Sequence, residues 1–151
     1  MYFSTLFIND IKVILPEFFL ATSVLTLVIH GVILAASPKY NYPLINRSIS
    51  WLSVLTLTWT LFLIYNNPIS FRIIFNNTFI HDDLTTFSQS VILVSSIACL
   101  ILSQDYIKNY RLNSYEYYLL VLFAILGLML LTSSYDLISA YLAIEMQSLS
   151  F

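Results

Sequence analysis

Five apolar runs, residues 13–36, 49–65, 84–102, 114–131 and 135–151, alternate with short polar segments, and this alternation leaves few folds open. A helix needs about 20 mostly apolar residues to cross a hydrocarbon core about 30 Å thick. Within a bilayer every backbone N–H and C=O must be satisfied inside the protein, which favours helices for such runs. The runs therefore predict an all-α polytopic membrane protein with about five transmembrane helices. The fifth is read as truncated, because only about 16 residues of it precede Phe151, against the roughly 20 needed to cross.

Composition removes the main competing classes. Only 9% of residues are charged and 59% are hydrophobic, with a mean hydropathy of +0.84. A soluble domain carries about 25% charged residues. A net charge of −2 offers no basic surface for nucleic acid. The single cysteine, Cys99, rules out an internal disulfide and reads as a small apolar core residue. Asp10, Lys12, Pro16 and Glu17 interrupt the place where a cleaved leader would have its apolar stretch.

The segments between the runs carry turn and interface signals. Pro16 suits the first turn of a helix, where its missing N–H is no loss. Glu17 beside it reads as an interfacial residue at the positive end of the helix dipole. His30 reads as a packing or interfacial residue rather than a proton carrier. Residues 37–48 read as a loop containing Pro38 and Pro43, and Asn66-Asn67-Pro68 closes the second run. Residues 70–75 and 78–80 alternate about Asn76-Asn77, which predicts a short β-hairpin with a two-residue turn between helices two and three. His81-Asp82-Asp83 reads as a solvated cap of the third helix, and residues 104–113 as a polar loop. Tyr115, Tyr117 and Tyr118 open the fourth run as interfacial aromatics. Lys39, Arg47, Lys108 and Arg111 follow the first and third runs, against Lys12 and Arg72 on the other side. That bias places the N-terminus outside.

Glu145 stands inside the fifth run, about 14 Å along a helix begun near Asp136. A carboxylate near the middle of a bilayer is costly unless protonated, paired or hydrated, so it is the first candidate for function. Ile138, Tyr141, Glu145 and Ser148 share a helix face. Tyr141 and Ser148 are supporting candidates, since either hydroxyl could hydrogen-bond the carboxyl. No Lys or Arg of this chain lies at that depth, so a cationic partner must come from elsewhere. The residues alone leave two readings open: a proton path, or a protonated glutamate bridging two helices in a structural scaffold.

The run Tyr135-Asp136-Leu137-Ile138-Ser139-Ala140-Tyr141-Leu142-Ala143-Ile144-Glu145-Met146-Gln147-Ser148-Leu149 resembles the subunit 2 family of mitochondrial NADH:ubiquinone oxidoreductase, respiratory complex I. Leu15-Pro16-Glu17, Ile29-His30-Gly31-Val32, Lys39-Tyr40-Asn41-Tyr42-Pro43 and Phe79-Ile80-His81-Asp82-Asp83-Leu84 extend the resemblance over most of the chain. It implies an antiporter-like, proton-pumping membrane-arm subunit of about fourteen helices in the mitochondrial inner membrane, where the Lys/Arg bias of the loops puts the N-terminus on the intermembrane-space side. In that family the fifth-helix glutamate, here Glu145, pairs with a lysine on the seventh helix. The resemblance therefore implies a fragment, or one piece of a split subunit, whose lysine partner lies on a missing segment or a companion chain. The other partners it implies are membrane-arm subunits and membrane lipids. NADH:ubiquinone reductase activity would belong to the complex, because no quinone, flavin, iron–sulfur or metal ligand set occurs on this chain. Part of a stand-alone cation/proton antiporter is the alternative within the same family.

Overall fold

The structure, a computed structural model, describes residues 10–36, 42–67, 71–110 and 115–150. Its long elements are helices α1 (Leu15–Ala36), α2 (Tyr42–Tyr65), α3 (Asp83–Asn109), α4 (Tyr115–Ser133) and α5 (Leu137–Ser150). Strands β1 (Arg72–Ile74) and β2 (Phe79–His81) form the hairpin between α2 and α3. The first four helices are long and apolar enough to cross a membrane, over Leu15–Leu34, Arg47–Tyr65, Asp83–Ile107 and Tyr115–Ser133. The protein is thus an all-α polytopic membrane protein with one small antiparallel sheet.

Serine and threonine are frequent in these helices, and their hydroxyls are satisfied locally. Ser53, Thr56 and Thr60 donate to the carbonyls of Ser50, Ser53 and Leu57 at 2.7–2.8 Å, and Ser96 and Ser103 do the same on α3. This back-bonding lets polar residues sit in an apolar helix without an unpaired donor.

Helix α4 is the hub. It packs against α1, α2, α3 and α5. Tyr118, Leu122, Ile125 and Met129 put its buried surface against Leu20, Val24 and Leu27 of α1, Ile49, Leu57 and Ile64 of α2, and Leu93 and Leu100 of α3. Consecutive helices run in opposite directions. Near one end, Gly31 of α1 lies close to Ile49 of α2 and the Tyr115 ring of α4. At the other end, Asp10 pairs with Arg72 of β1 at 3.3 Å, and β2 reaches the α4–α5 connection through the Phe79–Ser134 bridge.

Two helices exceed their apolar runs. Helix α2 already begins at Tyr42, inside the segment read as a loop, with Pro43 in the first turn where it is tolerated. Helix α3 continues through Gln104 and Asp105 to Asn109 instead of stopping at residue 102. Ile107 explains the extension: it is buried one heptad beyond Leu100, itself one heptad beyond Leu93, so tertiary packing holds the polar turns in register. At 27 residues α3 is about 40 Å long, longer than the hydrocarbon core, so its ends stand in the interface. Cys99, expected in the core, is instead exposed on the outer face of α3.

The hairpin pairs Arg72 with His81, Ile73 with Ile80 and Ile74 with Phe79. Its turn has four residues, Phe75 to Thr78, rather than the expected two. Phe75, Asn76 and Asn77 all take positive φ (50°, 52° and 67°), and the Thr78 N–H donates to the Phe75 carbonyl at 3.2 Å. Asparagine tolerates this region, but a bulky residue there is strained by about 1 kcal/mol or more. Replacing Phe75 with Asn is therefore expected to strengthen the hairpin by up to about 1 kcal/mol. Slower amide exchange at the paired strand residues would show it, and unchanged or faster exchange would refute it.

Candidate functional site

Helix α5 lies on the edge of the bundle. Ser134 and Tyr135 link it to α4, and the Tyr135 N–H and Ser139 hydroxyl both donate to the Thr78 carbonyl of the hairpin, at 2.9 and 3.1 Å. Its one buried residue is Ala143, which faces Gly127 of α4. A Cβ on Gly127 would lie 3.1 Å from the Gln147 nitrogen and 3.2 Å from the Ala143 oxygen, so the helices touch backbone to backbone. Small residues permit this approach between membrane helices.

Met146 also packs against the core, and the opposite face of α5 points away from the bundle. Leu137, Ile138, Tyr141, Leu142, Ile144 and Leu149 are exposed, and Glu145 lies among them, also exposed. The face predicted from spacing, Ile138, Tyr141, Glu145 and Ser148, is this outward face. Tyr141 stands one turn before Glu145 on this same face. Ser148 does not supply its proton to that carboxyl; it donates to the Glu145 backbone carbonyl at 2.9 Å. Among the described residues no cation forms a salt bridge with Glu145; the described pair is Asp10 with Arg72. Glu145 therefore sits on an apolar surface that the described helices leave uncovered.

A second carboxyl lies in the first turn of α1. Glu17, expected at the interface, is only 6% exposed. Its Oε1 accepts from Gln89 Nε2 of α3 at 2.7 Å, and Gln89, 1% exposed, also reaches the Met129 carbonyl of α4 at 3.5 Å. Among the described residues Glu17 Oε2 is buried with no hydrogen-bond partner. A small cavity lies beside it, lined also by Val13, Ile74, Phe79, His81 and Ser133. His81, read as part of a solvated cap, is buried by the hairpin. The start of α3 is held by Asp82 and Thr85: the Asp82 N–H donates to the Thr85 hydroxyl, and that hydroxyl donates to the Asp82 carbonyl, both at 2.7 Å. The sequence signal for this cluster was Gln89, an amide inside an apolar run, whose partner had to be sought on another helix.

Pro16 also shapes this end. It has no N–H for the Lys12 carbonyl, and that carbonyl instead accepts from Asn67 Nδ2 at 3.4 Å, joining the start of α1 to the end of α2.

The fold and these carboxyls define a class: a multi-pass helical membrane protein carrying ionisable side chains within its apolar helices. No family model matches the chain. It is 35% identical over 147 residues to NADH-ubiquinone oxidoreductase chain 2 of Marchantia polymorpha, covering 97% of this chain and 30% of that protein. The protein of the same name from Arabidopsis thaliana is 35% identical over 95% of this chain and 29% of its own length. NADH-quinone oxidoreductase subunit N of Pelagibacter ubique is 32% identical over 94% of this chain and 29% of its own. Over the length it spans, the chain is similar to NADH-ubiquinone oxidoreductase chain 2. It spans less than a third of the length of these relatives.

Proposed function

We propose that this chain forms part of the proton-translocating membrane arm of respiratory complex I, in the mitochondrial inner membrane, and that Glu145 lies on its proton path. The observation that carries the reading is the position of Glu145 in the middle of the uncovered face of α5. A charged side chain at the centre of a membrane helix costs about 3 kcal/mol or more if it faces lipid. A protein surface bearing a cation removes that cost and lowers the carboxyl's proton affinity. Moving the cation away restores that affinity, which is the elementary step of a proton relay. The surface that covers α5 would then supply the lysine, from a further segment or a companion chain. Tyr141 orients the carboxyl from its own helix, and Ser148 stiffens the turn below it.

Among the described residues the hairpin end carries Lys12 and Arg72 and the opposite side carries Arg47, and the sequence puts Lys39, Lys108 and Arg111 after the first and third apolar runs. The positive-inside rule then turns the hairpin toward the intermembrane space. NADH oxidation and ubiquinone reduction fall to other subunits, and this chain contributes to the movement of protons that those reactions drive.

The test is Glu145→Gln in the assembled complex. Glutamine keeps the shape but neither gains nor loses a proton. Proton transfer through this path is expected to slow about 10²-fold or more, as for loss of a positioned proton-transfer group. Assembly should persist. An unchanged proton-to-electron stoichiometry in the variant refutes the role and leaves Glu145 as a structural group.

A further inference from the structure

We propose that Glu17, Gln89, His81 and Ser133 build a second proton-holding site at the hairpin end of the bundle, where a protonated Glu17 carboxyl shares its proton with one water molecule held in the small cavity beside it. The site does not depend on the role given to Glu145. Helix α4 stands between the two, with α1 and α5 both packed on it. Glu17 is about 3 Å into its helix and Glu145 about 12 Å into its own, counted from the same side.

The geometry supplies each part. Gln89 fills the hydrogen-bonding need of Oε1 and, as an amide, brings no charge. Oε2 is left buried against the cavity. A buried carboxylate lacking a cation and with one oxygen unpaired is among the most expensive arrangements a protein can hold, whereas a carboxylic acid turns that oxygen into a donor. The cavity has a volume of about 10 Å³, about the least that holds a water. Such a water needs two to four polar partners, and the polar residues that line the cavity are Glu17, His81 and Ser133. Ser133 already gives its proton to Met129 and Leu130 carbonyls at 3.1 and 3.3 Å, so its oxygen is free to accept.

The charged and titratable groups around this end are few among the described residues. Helix α1 and the turn before it carry Glu17, Asp10 and Lys12; the hairpin carries Arg72 and His81; α3 brings Asp82 and Asp83 at its cap, and α5 is preceded by Asp136. Arg72 is engaged with Asp10, Lys12 is exposed, and His81 is the basic group that lines the cavity.

Infrared difference spectroscopy on the protein in its native membrane assembly tests the site. Near neutral pH the wild type should show a carboxylic C=O stretch that shifts in heavy water and is lost in Glu17→Gln but kept in Glu145→Gln. Replacing Gln89 with Leu frees the carbonyl oxygen of its donor and should move that band to higher frequency. The proposal fails if Glu17→Gln removes a carboxylate band instead, as a Glu17–imidazolium pair or a bound cation would require. It also fails if Glu17→Gln leaves the carboxylic band intact, or if the band ignores Gln89→Leu. Should Glu17→Gln not assemble, the Gln89→Leu shift alone decides.

Discussion

Replacing Gly127 by leucine is expected to detach α5 from α4. The first added atom already meets backbone, the Gln147 nitrogen at 3.1 Å and the Ala143 oxygen at 3.2 Å, and backbone cannot swing aside as a side chain does. Overpacking a tight contact costs about 1–3 kcal/mol, and the upper part of that range applies where nothing flexible can yield. Little compensates, because α5 buries only Ala143 and packs chiefly on α4. The hairpin contacts at Thr78 hold its first turn alone. Gly127→Ala should show a smaller loss of the same kind. Thermal stability and the amount of assembled protein in the membrane check both variants, and a Gly127→Leu protein with wild-type values in each would disprove the close contact.

A matched pair on α3 should separate core from lipid-facing surface. Leu100 is fully buried and Leu102, two residues on, is 74% exposed. In a soluble protein a buried Leu→Ala change costs about 2–5 kcal/mol, from lost transfer energy plus a cavity. In a bilayer the separated helices are already in an apolar solvent, so most of the transfer part vanishes and lost packing dominates. The expected cost of Leu100→Ala is thus near the lower end, about 2 kcal/mol. Leu102→Ala should fall within about 0.5 kcal/mol of wild type, as surface changes do. Equal effects at the two positions would mean that α3 is rotated from the orientation described.

These two predictions rest on information that the sequence does not contain. The helices are apolar nearly all the way round, so no polar stripe marks which face turns inward. Leu100 and Leu102 are identical letters in one run, and only the positions of the helices packed on α3, α2 and α4, separate them. The same ambiguity explains Cys99, a small apolar residue expected inside and found outside.

Where local chemistry decides, the sequence was legible. Alternation about Asn76-Asn77 predicted the hairpin and the structure contains it. Its turn is longer because Phe75 leaves the ladder for a left-handed conformation that side-chain pattern alone disfavours. The polar end of α3 was misread for a similar reason: Gln104 and Asp105 look like a loop until Ile107 is seen packed into the core.

The two glutamates divide sequence from structure most clearly. The sequence by itself determined that the chain is a bundle of apolar helices in a membrane and that Glu145 is an ionisable group placed within one of them, because length and polarity along a run need no partner to be read. Only the tertiary structure decided that Glu145 faces outward and Glu17 inward. Exposure is set by which helices meet, and Glu17 is enclosed only because α3, α4 and the hairpin, all distant in sequence, close over the first turn of α1.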